Sequence, residues 1–196
     1  MRLRVLENGH SPIQKFQMFF ISRMMGFVPG PISLLSYRKS FFGKGFSLYI
    51  HEVLRFSKHW TLAELEMFGA FISKSNSCHT CASDHKAVAA NAMDVETLTA
   101  VLDDYKTAPV SDKIKAVLGF LEKLSLQPDL LSKEDILELK SHGLSHEAIE
   151  EAAHVVAVFA IINRLADSFD FKMAPNAGKV GRFLFKNGYK KACLAG

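Results

Sequence analysis

From Glu147 to Phe169 the chain carries apolar side chains on most sides of any helix drawn through it. Such a segment has little polar surface to offer water, so it must run through the middle of a core. A long central helix has to be surrounded, and the rest of the sequence supplies more helices to do it. Ser11-Pro12 reads as an N-cap followed by an N1 proline, opening a helix that ends near Gly26. Thr61 with Glu64 forms a capping box ahead of a segment running to about Lys74. Ser132 with Asp135 and Ser145 with Glu147 mark two further starts, and Gly143 stops the chain between them. No run alternates apolar and polar residues long enough to make a strand. The fold class is therefore all-α, with about eight to ten helices at the usual lengths.

A chain of 196 residues suits one domain with a sizeable core, so residues 1–196 are expected to form a single multi-helix bundle. Its 48% hydrophobic and 22% charged content argues against long disorder. The net charge of +4 is spread along the chain, with an excess in the last twenty residues. That fits a solvated surface better than a nucleic-acid groove, so no nucleic-acid partner is expected. Three cysteines do not make a disulfide framework, which points to a reducing compartment. MRLRVLENGHSP holds no apolar core of signal-peptide length. FQMFFISRMMGFVPG is broken by Arg23, ended by Pro29 and Gly30, and too short to span a bilayer. A cytoplasmic protein without a membrane partner is the expectation.

Ten of the sixteen phenylalanines lie at or before Phe71. They could thicken the core or supply an apolar face for self-association, and the sequence favours neither. A faint internal repeat places TLAELEMFGAFISKSNSCHTCASDH over SHEAIEEAAHVVAVFAIINRLADSFD, which would imply a duplicated helical unit.

The stretch SNSCHTCASDH, residues 75–85, carries two of the three cysteines and two of the eight histidines. Ser75-Asn76-Ser77 reads as a cap cluster, so a helix is expected over about 77–92. On it Cys78 and Cys81 stand at i and i+3, and Cys81 and His85 at i and i+4, all on one face. Sulfurs one turn apart at a helix start can close a disulfide, and the free N–H groups of a first turn favour thiolate. An imidazole beside them can take a proton and return it near neutral pH. Two alternatives stay open at this point: a pair of inert core thiols, and zinc held by Cys78, Cys81 and His85 with His79 or Glu66 as fourth ligand. Haem attachment is excluded because Ala82, not histidine, follows the second cysteine. A thioredoxin-like site is excluded because no strand precedes the motif. His79 is expected to face solvent, His154 to be a core or interface residue, and Asp84 to point away from any proton relay.

Glu66, Cys78, Cys81 and His85 together make the pattern E-x11-C-x-x-C-x-x-x-H. With INRLADSF at 162–169 and GRFLFKNGYKKA at 181–192, it resembles the alkylhydroperoxidase D-like proteins of the carboxymuconolactone decarboxylase superfamily, in their peroxidase-related branch. The resemblance implies that Cys81 meets the peroxide, that Cys78 resolves the sulfenate as a disulfide, and that Glu66 and His85 relay the proton. It implies an enzyme needing no cofactor, a hydroperoxide substrate, a thiol or dithiol electron donor, and assembly as a homotrimer or homohexamer. Relatives often carry histidine or tyrosine directly before the second cysteine, where this chain has Thr80. The alternatives are the decarboxylase branch of the superfamily, which needs no cysteine pair, and a non-enzymatic helical assembly protein.

Overall fold

The computed structural model describes residues 1–194, and among them there are eleven α-helices and no strand. The helices are α1 (Val5–Asn8), α2 (Pro12–Met25), α3 (Gly30–Tyr37), α4 (Lys44–Arg55), α5 (Leu62–Ser75), α6 (His79–Ala89), α7 (Val95–Asp104), α8 (Asp112–Leu126), α9 (Lys133–Ser141), α10 (His146–Phe169) and α11 (Ala177–Asn187). One turn of π-helix, Lys39–Gly43, leads into α4.

The start signals work as the sequence implied. Ser11 and Gln14 close a capping box with Pro12 in the first turn, and α2 stops at Gly26 in the left-handed region. Thr61 and Glu64 do the same for α5, and Ser145 accepts the Ala148 N–H at the start of α10. The Ser132 N–H donates to Asp135 at 2.7 Å, and Gly143 turns the chain at a φ of 79° between α9 and α10. The helix count exceeds the expected range because short pieces such as the four-residue α1 carry no capping signal.

The core centres on α5 and α10. α5 packs against α4, α6, α7, α8 and α10, and nearly all its residues from Ala63 to Ser73 are buried. α10 is the one helix among the described residues long and apolar enough to cross a membrane by length and composition. Here its apolar side packs on α4, α5, α6 and α8, while Ala157, Ile161 and Arg164 form an exposed strip. His154 lies on the solvent side, bonded to Tyr49 and Glu150 rather than buried. The faint repeat is not a duplication of structure. Its first copy is two helices, α5 and α6, whereas its second is the unbroken α10.

The phenylalanines of the first third divide between the two uses the sequence allowed. Phe46, Phe68 and Phe71 are core, while Phe16, Phe19, Phe20, Phe41 and Phe56 are exposed.

α6 is the layer that carries the cysteine motif, clasped between α5 and α11. Its approach to α11 depends on Gly181, where any Cβ would run into the Ala87 carbonyl and the backbone of Val88. Backbone cannot swing aside as a side chain tip can, so the two helices would have to part. Gly181→Ala is expected to destabilise the protein by about 1–3 kcal/mol, read from the midpoint of urea unfolding.

Candidate active site

α5 and α6 are joined by three residues. The N–H of Ser77 bonds to the Lys74 carbonyl and that of Cys78 to the Ser73 carbonyl, the paired bonds of a Schellman ending. Ser77 takes the left-handed conformation, φ 62°, that such an ending requires. The Ser75-Asn76-Ser77 cluster therefore closes α5, whereas its composition suggested a cap for α6. Cys78 itself is the N-cap residue of α6. The helix is shorter than the expected 77–92, ending at Ala89. The Asn91 side chain donates to the carbonyls of Ala87 and Val88 and so satisfies the frayed end.

The four residues of the motif lie together. Glu66 is wholly buried. One of its oxygens accepts from Arg55 Nη1 at 2.6 Å and from the Tyr189 hydroxyl at 2.9 Å. The other accepts from His85 Nδ1 at 2.6 Å and again from Tyr189 at 3.0 Å. Burial pushes the Glu66 carboxyl up, but the charges and hydrogen bonds of His85 and Arg55 outweigh it and hold it below the ordinary carboxylate range. A carboxylate can only accept, so His85 carries its hydrogen on Nδ1, and Nε2 is the nitrogen free to take a proton. The imidazole is fixed edge-on to Phe159 and stacked on Tyr189, with ring centres 4.6 Å and 5.9 Å away.

Cys78 and Cys81 are both free and both buried. Their environments set them apart. Hydrogen bonding to Cys81 draws the Cys78 thiol down, against the effect of burial. The same contact, with burial added, drives Cys81 far up. The contact between the two sulfurs thus favours ionisation of Cys78, at the helix start, over that of Cys81. Only Cys81 opens onto the outside.

It does so through a cavity of about 400 Å3 between α2, α3, α4, α6, α11 and the C-terminal segment. Phe16, Phe20, Phe27, Phe46, Ile162 and Phe183 are among its largely apolar walls. Cys81, Asp84, His85 and Thr80 meet at one part of it. A more polar depression of about 440 Å3, around Tyr105, Asp135 and His142, holds none of these residues.

Three participants escaped the sequence reading. Arg55, from the end of α4, carried no signal beyond the fact that a buried carboxylate needs a cationic partner. Tyr189 lies inside the GRFLFKNGYKKA segment. Its N–H donates to His51 and its carbonyl accepts from Ser47, which moors it against α4. Asp84 lies on the cavity wall beside His85, where neighbouring positions on one helix were expected to diverge. His79 faces solvent, as expected. Thr80 donates to the Phe171 carbonyl at 3.2 Å.

Among the described residues no group of three or more histidine, cysteine and carboxylate side chains is arranged to hold a metal ion.

Glu66→Gln should remove the counter-ion of a nearly buried guanidinium and destabilise the protein by about 3–5 kcal/mol at neutral pH. Because the folded state holds the Glu66 carboxyl low, its contribution is complete above the unfolded carboxylate pKa and lost as pH falls through the folded value. Urea unfolding at a series of pH values should show the two proteins converging below about pH 4.

No family model matches the sequence, and no curated protein is significantly similar to it. Solved structures do match. An uncharacterized peroxidase-related protein from Silicibacter sp. TM1040 is 19% identical, with a TM-score of 0.75 over 86% of this chain and 90% of that one. A second, from Ralstonia eutropha JMP134 and described as an alkylhydroperoxidase AhpD core, is 24% identical, with a TM-score of 0.70 over 89% and 92%. The debrominase Bmp8 is 20% identical, with a TM-score of 0.68 over 89% and 91%. A cysteine-to-alanine variant of it is known in complex with 2,3,4-tribromopyrrole. The expected architecture is thus met in three dimensions: this chain has the alkylhydroperoxidase D-like fold.

Proposed function

We propose that the protein is a thiol-dependent oxidoreductase that reduces hydroperoxides, or passes electrons to a peroxidase partner, by cycling Cys78 and Cys81 between dithiol and disulfide. The observation that carries this reading is the asymmetry of the pair. One thiol faces a cavity beside a carboxylate-anchored imidazole, and the other is sealed behind it as the better thiolate.

The chemistry follows from that asymmetry. Cys81 is the sulfur a hydroperoxide can reach, but its high pKa means that it needs a base. His85 Nε2, on the same wall, takes its proton. The sulfur then bonds to the terminal oxygen, the O–O bond breaks, and Cys81 becomes a sulfenic acid. Cys78, already the more acidic partner, attacks that sulfur and expels the oxygen as water, closing the disulfide. An external thiol or dithiol reopens it by exchange. Glu66, Arg55 and Tyr189 keep the imidazole oriented through the cycle. The exposed aromatics of α2 are the proposed surface for assembly into a homotrimer or homohexamer, in a cytoplasmic setting.

The aromatic lining favours one second reading, reductive removal of halide from a halogenated aromatic ring by the same dithiol; Bmp8, of like fold, is named a debrominase. Bromide release from a brominated pyrrole, dependent on Cys81, would establish it in place of peroxide reduction.

Titration of free thiols tests the main reading. Wild-type protein has three thiols, and one equivalent of an alkyl hydroperoxide should leave one, Cys193. Cys81→Ser should lose none, whereas Cys78→Ser should stop at a sulfenic acid trapped by dimedone. Full peroxide turnover by Cys81→Ser would overturn the assignment. His85→Ala should slow the reaction by about 100-fold or more and shift its pH profile. Tightly held stoichiometric zinc in the purified protein would defeat the redox reading.

A further inference from the structure

Asp84 is the carboxyl on the cavity wall, and the proposed cycle leaves it unused. It lies one helical turn beyond Cys81 on α6 and next to His85. Its Oδ1 is buried and has no hydrogen-bond partner. The contrast with Glu66 is direct. That carboxylate is buried deeper, yet Arg55, His85 and Tyr189 all donate to it. A partly buried carboxyl whose inner oxygen has no donor holds its proton to higher pH, because the charged form loses water there and gains no hydrogen bond in return. Burial accordingly pushes Asp84 up to about 6, with the His85 charge pulling the other way.

We propose that Asp84 is a catalytic acid of this site, supplying the proton that the departing oxygen of the hydroperoxide requires. The proposal rests on the peroxide reading given above. An alkoxide is a poor leaving group, and a proton delivered as the O–O bond breaks removes that obstacle. The balance closes within the cavity. The Cys81 thiol gives its proton to His85 Nε2, and its sulfur forms a bond to the terminal oxygen. The O–O bonding pair goes to the leaving oxygen, which takes the Asp84 proton and departs as the alcohol. The imidazolium then returns the thiol's proton to the Asp84 carboxylate. Sulfur is oxidised to sulfenic acid, peroxide is reduced to alcohol, and no net proton is consumed.

The surroundings suit an acid that works in its neutral form. An ionised Asp84 acts on Cys81 as a further charge opposing its thiolate. On its own helix Asp84 shares the cavity with Cys81 and His85, and from the C-terminal part of the chain Tyr189, Lys172 and Lys191 face the same space. Asp167 of α10 bears on both cysteines. The α11 residues on the wall are Val180, Phe183, Leu184 and Asn187, none of which titrates.

Two oxidants separate acid catalysis from mere packing. tert-Butyl hydroperoxide expels an alkoxide and needs a proton, whereas peracetic acid expels acetate and does not. Single-turnover thiol oxidation is compared in wild-type protein and Asp84→Asn at about pH 5, where the native carboxyl is protonated. The variant should lose about 100-fold in rate with tert-butyl hydroperoxide and little with peracetic acid. In the wild type the ratio of the two rates should fall as pH rises through about 6. Equal slowing with both oxidants, or none with either, overturns the role of Asp84 while leaving the peroxide reading intact. Failure of wild-type thiols to react with either oxidant overturns the peroxide reading, and the proposal with it.

Discussion

The buried Glu66 carboxylate is the constraint on which this molecule is organised. An ionised side chain with no water contact is tolerated only when its charge is answered at short range. Here the answer comes from three directions: Arg55 at the end of α4, His85 in α6, and Tyr189 beyond α11. Each donor is itself restrained. Arg55 also donates to the carbonyls of Leu54 and Leu184 and lies over the Tyr189 ring at 4.8 Å. Satisfying one carboxylate therefore fixes how two helices and the C-terminal segment meet on α5. The same bonds fix the tautomer and tilt of the only imidazole on the cavity wall among the described residues.

The second organising fact is the break between α5 and α6. Had the helix continued through Asn76, Cys78 would have been an interior helical residue with its neighbours. Ending α5 at a left-handed Ser77 instead places Cys78 at a helix start and Cys81 inside the first turn. Two identical side chains become chemically different because one stands at the N-cap position and is sealed, while the other is internal and meets the cavity. Difference of this kind lets a dithiol divide attack and resolution between its members.

Much of this was legible in the residues. The helices announced themselves through Ser11, Thr61, Ser132 and Ser145, and the central helix through apolar residues on most of its sides. That Glu66, Cys78, Cys81 and His85 would lie together was legible too: helical periodicity ties the last three, and the family resemblance adds the first. What stayed hidden depends on tertiary approach. Arg55 and Tyr189 reach Glu66 from 11 and 123 residues away, distances over which no local pattern operates. Asp84 stands outside the Glu66–His85 hydrogen bonds, as expected, yet reaches the cavity, because the faces of an isolated helix say nothing about a cavity broad enough to touch two of them. The Ser75-Asn76-Ser77 cluster was assigned to the wrong helix because the same residue types serve at both ends of an interruption three residues long.

The mooring of Tyr189 by Ser47 and His51 bears on how the protein is made. During synthesis both cysteines of the motif emerge from the ribosome about a hundred residues ahead of the phenol that donates to Glu66. Until that tail docks, the imidazole lacks one of its restraints and the cavity lacks a wall. A growing polypeptide thus carries its sulfurs beside an unfinished hydrogen-bond network until Tyr189 has emerged and docked.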